Sequence, residues 1–109
     1  MARRPTGQRR SVSDRTLPKY SIAFASDVSG VPQQQLRRME EFGLLSPLRT
    51  GGNSRRYSDD DLARIADVAE LAAEGINAAG IRHILLLRTE LEALRAELER
   101  LNDSASETT

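Results

Sequence analysis

The chain has no cysteine and no tryptophan, and only 4% of its residues are aromatic. Without cysteine, neither a disulfide framework nor a thiolate metal site is available. The single histidine, His83, has no second imidazole or thiol with which to share a metal, and it reads as a surface or interface residue. No apolar run approaches a membrane span or a signal-peptide core, so the expected compartment is the cytoplasm. The core has to come from Leu, Ile, Val and Ala. In a chain of 109 residues such a core is small enough to lean on oligomerisation. Catalytic constellations are missing as well. There is no nucleophile elbow and no metal-ligand spacing, and Gly51-Gly52 lacks the following Lys and helix of a phosphate-cradling loop. No enzyme, catalytic residue, cofactor or metal is expected.

What the chain does have is charge, and the charge is segregated. The net value is zero, yet residues 1–57 hold eleven Lys or Arg against four Asp or Glu, and residues 58–109 hold five against twelve. A basic half is the electrostatic footprint of a nucleic-acid binder. Residues 1–19 begin it as an Arg-rich, aperiodic stretch, expected to be a disordered basic arm.

The apolar spacing then becomes helical. Ile22, Ala25 and Val28 recur every three residues behind Ser21, a capping residue, and predict a short first helix. Gly30 supplies a turn, and Pro32 suits the first turn of a second helix. There Leu36, Met39 and Phe42 share an inner face, while Gln33, Gln34, Arg37 and Arg38 fall on or beside the outer one. Gly43 ends the helix, and Leu44 and Leu45 drop into the core. Residues 48–50 and 55–57 flank a Gly51-Gly52-Asn53 turn, the pattern of a β-hairpin, and Arg49, Arg55 and Arg56 lie on it. Ser58 with Asp61 has capping-box spacing. Asp59, Asp60 and Asp61 read as a helix cap rather than a metal cluster. The helix they open buries Leu62, Ile65, Val68, Ala69 and Ala72 and closes at Gly75.

The last helix opens at Asn77, with Ile76 and Ile81 at hydrophobic-staple spacing. Its pattern then alternates steps of three and four through Ile84, Leu87, Leu91, Leu94, Leu98 and Leu101, a heptad seam with Arg88, Arg95, Glu90 and Glu97 on its flanks. Dimerisation through this seam is the first expectation, and packing wholly onto its own domain is the alternative. The predicted fold is therefore mostly α with a small β-hairpin wing. A winged helix-turn-helix DNA-binding domain spans 20–75, a coiled-coil dimerisation helix 76–102, and a frayed polar tail 103–109.

The order of these parts resembles the DNA-binding domain of the MerR family of bacterial transcription regulators. The residues carrying the likeness are Gly30-Val31, Leu36-Arg37, Gly43-Leu44-Leu45, Ser46-Pro47 and Arg55-Arg56-Tyr57-Ser58, followed by the Asp-rich cap. Within that family, Arg49-Thr50-Gly51-Gly52 and the run Gly75-Ile76-Asn77-Ala78-Ala79-Gly80-Ile81 look like the wing and hinge of small heat-shock repressors of the HspR type. The resemblance implies a homodimeric repressor of chaperone genes on an inverted-repeat operator, with a DnaK-type chaperone or another regulatory protein as partner. It also implies an antiparallel coiled coil, whereas Glu90 facing Arg95 favours a parallel one. Because nothing follows the leucine stretch, no ligand-sensing domain is expected.

By chemistry and resemblance together, Gln33, Gln34 and Arg37 are expected to enter the major groove. Gln pairs bidentately with adenine, and Arg with guanine or phosphate. Arg38, Arg49, Arg55 and Arg56 are expected on phosphates, and Tyr57 is expected among them as a packing residue whose hydroxyl finds backbone or phosphate. Two other readings stay open. One is an architectural, excisionase-like DNA-bending protein on the same winged fold. The other is a protein-interaction adaptor acting through the leucine seam.

Overall fold

The structure is a computed structural model and describes residues 14–108. The expected arm over residues 1–13, and Thr109 of the expected tail, lie outside the described residues. In chain order the elements are α1 (Ile22–Ser29), α2 (Gln33–Glu41), β1 (Leu48–Arg49), β2 (Arg55–Arg56), α3 (Asp59–Ala73) and α4 (Ala78–Thr108). This is the mostly helical architecture with a two-stranded antiparallel wing.

The local signals work as their chemistry requires. The Ser21 hydroxyl accepts from the Phe24 N–H at the start of α1. Gly30 then ends α1 in the left-handed conformation, φ 77°, where a side chain would be strained. Ser58 and Asp61 form a reciprocal capping box on α3. In the wing, Asn53 rather than either glycine takes positive φ, at 66°. Each strand is one residue shorter than expected, β1 losing Thr50 at the turn and β2 losing Tyr57 at the outer end. Tyr57 instead leaves the hairpin to form a bridge with Tyr20.

That bridge moves the first boundary. Residues 14–16 make a helical turn, and the Lys19 and Tyr20 N–H groups both donate to the Tyr57 carbonyl. Arg15 pairs with Asp60 at 2.9 Å and Lys19 with Asp59 at 3.2 Å. Residues 14–19 are thus tied to the start of α3 and do not belong to a free arm. The acidic run, read only as a cap, is also the counter-charge for this segment. The tail needs correction too: residues 103–108 continue α4. No Gly or Pro stands there to stop a helix.

One core joins α1, α2, α3 and the beginning of α4. It contains Ala25, Leu36, Leu44, Leu45, Tyr57, Ile65, Val68 and Leu71, and also Ile81 and Leu85 from α4. The first turns of α4 therefore pack as part of the DNA-binding unit, beyond the boundary at 75 drawn from sequence.

Candidate nucleic-acid interface

Helix α2 is seated on the core by Leu36 and Met39, both buried. At 3.6 residues per turn this sends Gln34, Arg37 and Glu41 to the opposite side. Gln33 and Glu40 fall on the flank beside the wing. Gln35, Arg38 and Phe42 fall on the other flank. Gln34, Arg37 and Arg38 are exposed, and Gln33 is half-buried. Gln34 and Arg38 also rim an open groove of about 590 Å³ between α2 and the α3–α4 junction. Phe42, expected inward, is half exposed on that rim.

Two arginines from other elements hold the far end of α2. The Arg64 Nε donates to the Leu44 carbonyl at 2.8 Å and the Arg82 Nη1 to the Phe42 carbonyl at 2.5 Å. The Arg82 cation satisfies the carbonyl of the C-cap and complements the negative end of the helix, while Arg64 fixes the turn that follows it. Arg82 stands on α4, so the long helix is wired directly to the helix that carries the amides. Neither arginine was marked by sequence patterning, because their partners lie 20 and 40 residues away.

The wing arginines divide into two kinds. Among the described residues Arg56, like Arg37 and Arg38, enters no ion pair. Arg49 and Arg55 do. The Arg55 Nε donates to one oxygen of Glu40 at 2.6 Å, and the Arg49 Nη2 to the other at 3.1 Å. Burial alone would push the Glu40 carboxyl up; the hydrogen bonds from Arg55 and Arg49 outweigh it and leave it below its ordinary value. Glu40 was missed in the sequence. The available signal was an acid seven residues after Gln33, on the same helical flank and followed by an arginine-bearing hairpin.

Tyr57 is a correction. Its side chain is 0% exposed and its hydroxyl is buried with no hydrogen-bond partner among the described residues. Burial raises its pKa. A group enclosed in this way presents nothing to a phosphate, so Tyr57 is a core residue. The hydroxyl facing the wing's root is that of Tyr20. It donates to Asp59 at 2.8 Å, and this bond raises the Tyr20 pKa.

The predicted seam separates in the structure. Ile84 is half-buried against its own core. Leu87, Leu91, Leu94, Leu98 and Leu101 are all exposed. The alternative of a helix packed wholly onto its own domain fails, since only its first turns dock. No group of acidic or imidazole side chains able to hold a metal occurs among the described residues, and no described helix is long and apolar enough to cross a membrane.

Comparison with known proteins agrees with this geometry. Residues 20–87 match the family model of the MerR HTH family regulatory proteins. The chain is 42% identical to the heat shock protein HspR of Streptomyces coelicolor over 106 residues, covering 92% of this chain and 70% of that one. It is 33% identical to the HTH-type transcriptional regulator GlnR of Bacillus anthracis over 94 residues, covering 85% and 73%. Among solved structures it is similar to the transcription regulator PbrR691 of Ralstonia metallidurans, determined in complex with lead(II). That match has a TM-score of 0.59 and 26% identity and covers 81% of this chain and 76% of that one.

Proposed function

Because the chain belongs to the MerR family of DNA-binding transcription regulators, which act as dimers and are not enzymes, we propose that it is a repressor binding an inverted-repeat operator as a homodimer. The observation that supports this reading is the exposed amide and guanidinium face of α2, held at its C-terminal end by the Arg82 hydrogen bond and by the Glu40 ion pairs to an arginine-bearing wing. Gln33, Gln34 and Arg37 read base edges in the major groove. Arg38 and Arg56 take flanking phosphates. Arg49 and Arg55 approach the backbone from their places on Glu40. Phosphate contacts position the protein, and the tip of α2 supplies sequence.

One copy of α2 offers few base contacts, and a two-fold dimer doubles them. Leu87, Leu91, Leu94, Leu98 and Leu101 form the dimer seam, since so long an apolar stripe is not left to water. The protein acts in the cytoplasm, on the nucleoid. Its likeness to a relative named a heat shock protein supports a heat-shock regulon, with a DnaK-type chaperone or another regulatory protein tuning repression.

Binding-site selection from random duplexes at one salt concentration tests the reading. The expected product is an inverted repeat, and Gln34→Ala relaxes one base pair in each half-site by roughly 1–3 kcal/mol of discrimination. A selected pool with no symmetry, coated cooperatively, overturns the operator reading in favour of an architectural protein.

A further inference from the structure

Arg49 and Arg55 are cross-strand partners in the wing. Like charges directly opposite one another on a hairpin repel. Here the repulsion is relieved by a single carboxylate that comes from another element. Each oxygen of Glu40 takes one guanidinium, and Asn53 Oδ1 accepts from Arg49 Nη1 at 3.0 Å. Glu40 and Arg55 are each only about a fifth exposed, so water screens this pair less than an open surface pair. Glu40 also sits on the same flank of α2 as Gln33, two turns further on. One side chain therefore joins the reading helix to the wing and neutralises part of the positive charge nearest the DNA.

Resting on the DNA-binding reading above, we propose that Glu40 is a positioning residue for sequence selectivity: it holds Arg49 and Arg55 in register with α2 and withholds both from indiscriminate phosphate binding. Phosphate contacts raise affinity for all sequences alike and carry no sequence information. An acid that competes for them lowers non-specific binding more than operator binding. At the operator the base contacts of α2 seat the wing, and the guanidinium atoms not bonded to Glu40 meet the backbone in a fixed geometry.

The test is a salt series of binding to a random-sequence duplex and to the selected operator, using the full chain. Glu40→Gln keeps the side chain's shape and removes the charge. On the random-sequence duplex it is expected to steepen the slope of log K against log salt by about 2–4 per dimer, at about 0.9 per released arginine. The same change raises affinity for the random duplex roughly tenfold at low salt and reduces the operator-to-random ratio by a similar factor. Glu41→Gln removes the same charge from the outer side of α2 and leaves the slope nearly unchanged. Adding Arg49→Gln and Arg55→Gln to Glu40→Gln restores the original slope. A Glu40→Gln slope equal to that of Glu41→Gln overturns the proposal, as does an equal loss of operator and random binding, the signature of a merely structural residue. If Glu40→Gln does not fold, the paired Arg49→Gln and Arg55→Gln variant decides. Little change in the random-duplex slope supports withheld arginines, and a flattening by about 3–4 shows them already on phosphate and overturns the proposal. A wild type that binds no duplex fails the DNA reading itself, a result distinct from all of these.

Discussion

The two parts of α4 are built from the same side chains and meet opposite fates. Ile81 and Leu85 are 2% and 5% exposed, whereas Leu87 and Leu94 are 62% and 67% exposed. The difference is not hydrophobicity. The first turns lie against α3 and beside the end of α2, fixed by Arg82 on the Phe42 carbonyl. Beyond them the helix runs clear of the domain, and nothing among the described residues covers its leucines. An apolar stripe declares that burial is needed. It does not declare which chain provides it.

The largest expected effect breaks the distal part. Leu91→Asp combined with Leu94→Asp places carboxylates in the seam, where an unpaired buried charge is strongly destabilising. Sedimentation should show monomers at concentrations where the wild type is dimeric, and operator binding should be lost with the dimer. A well-folded wild-type monomer at high micromolar concentration would remove the basis of the comparison.

Next comes the proximal part. Ile81→Ala opens a cavity in the domain's own core and should cost about 2–5 kcal/mol in chemical denaturation. Its signature differs from that of the distal change. The loss is expected at every protein concentration, because the packing removed lies within one chain. A loss that disappears at high concentration would assign Ile81 to the interface.

A smaller effect is expected at the joint. Arg82→Ala removes one charge-assisted hydrogen bond to the end of α2, worth roughly 1–2 kcal/mol. Thermal unfolding should shift by several degrees with the dimer constant unchanged. If α2 reads the bases as proposed, operator binding should fall more than random-duplex binding, because α2 loses its anchor.

The smallest effect lies away from α4 and serves as a control. The hydrogen bond from Tyr20, with that from Lys19, holds the Asp59 carboxyl below its ordinary value. A depressed carboxyl contributes stability above its unfolded pKa and loses it as the pH falls through the folded value. Tyr20→Phe should therefore reduce stability near neutrality and leave a shallower fall on acidification, with no change in dimerisation. Equal acid profiles for wild type and variant would show that the Tyr20 bond does not set the Asp59 pKa.

Much of this molecule was legible in its residues. Ser21, Gly30, Gly43, Ser58 with Asp61, and Gly75 punctuate the helices by interactions spanning a few residues, and such interactions survive in a linear text. The outward face of α2 was legible too, because 3.6-residue periodicity places Gln34 and Arg37 opposite Leu36 and Met39. Tyr57 was misread for the opposite reason. A tyrosine beside two arginines looks like part of a basic surface, and only its bridge to Tyr20, 37 residues earlier, turns it into the core.

Sequence alone determined the element order, the caps, the polar face of α2, the segregation of charge and the presence of an apolar stripe from 84 to 101, since each depends on residues within a turn or two of one another. Tertiary structure alone decided that Arg49 and Arg55 belong to Glu40 while Arg56 meets no ion-pair partner among the described residues, that Arg64 and Arg82 hold the chain where α2 ends, and that Ile81 and Leu85 join the domain while Leu87 onward do not. Those outcomes depend on which elements come within 3 or 4 Å of each other. Charge and hydropathy along the chain state what each side chain needs, and only the packing of distant segments determines which partner meets the need.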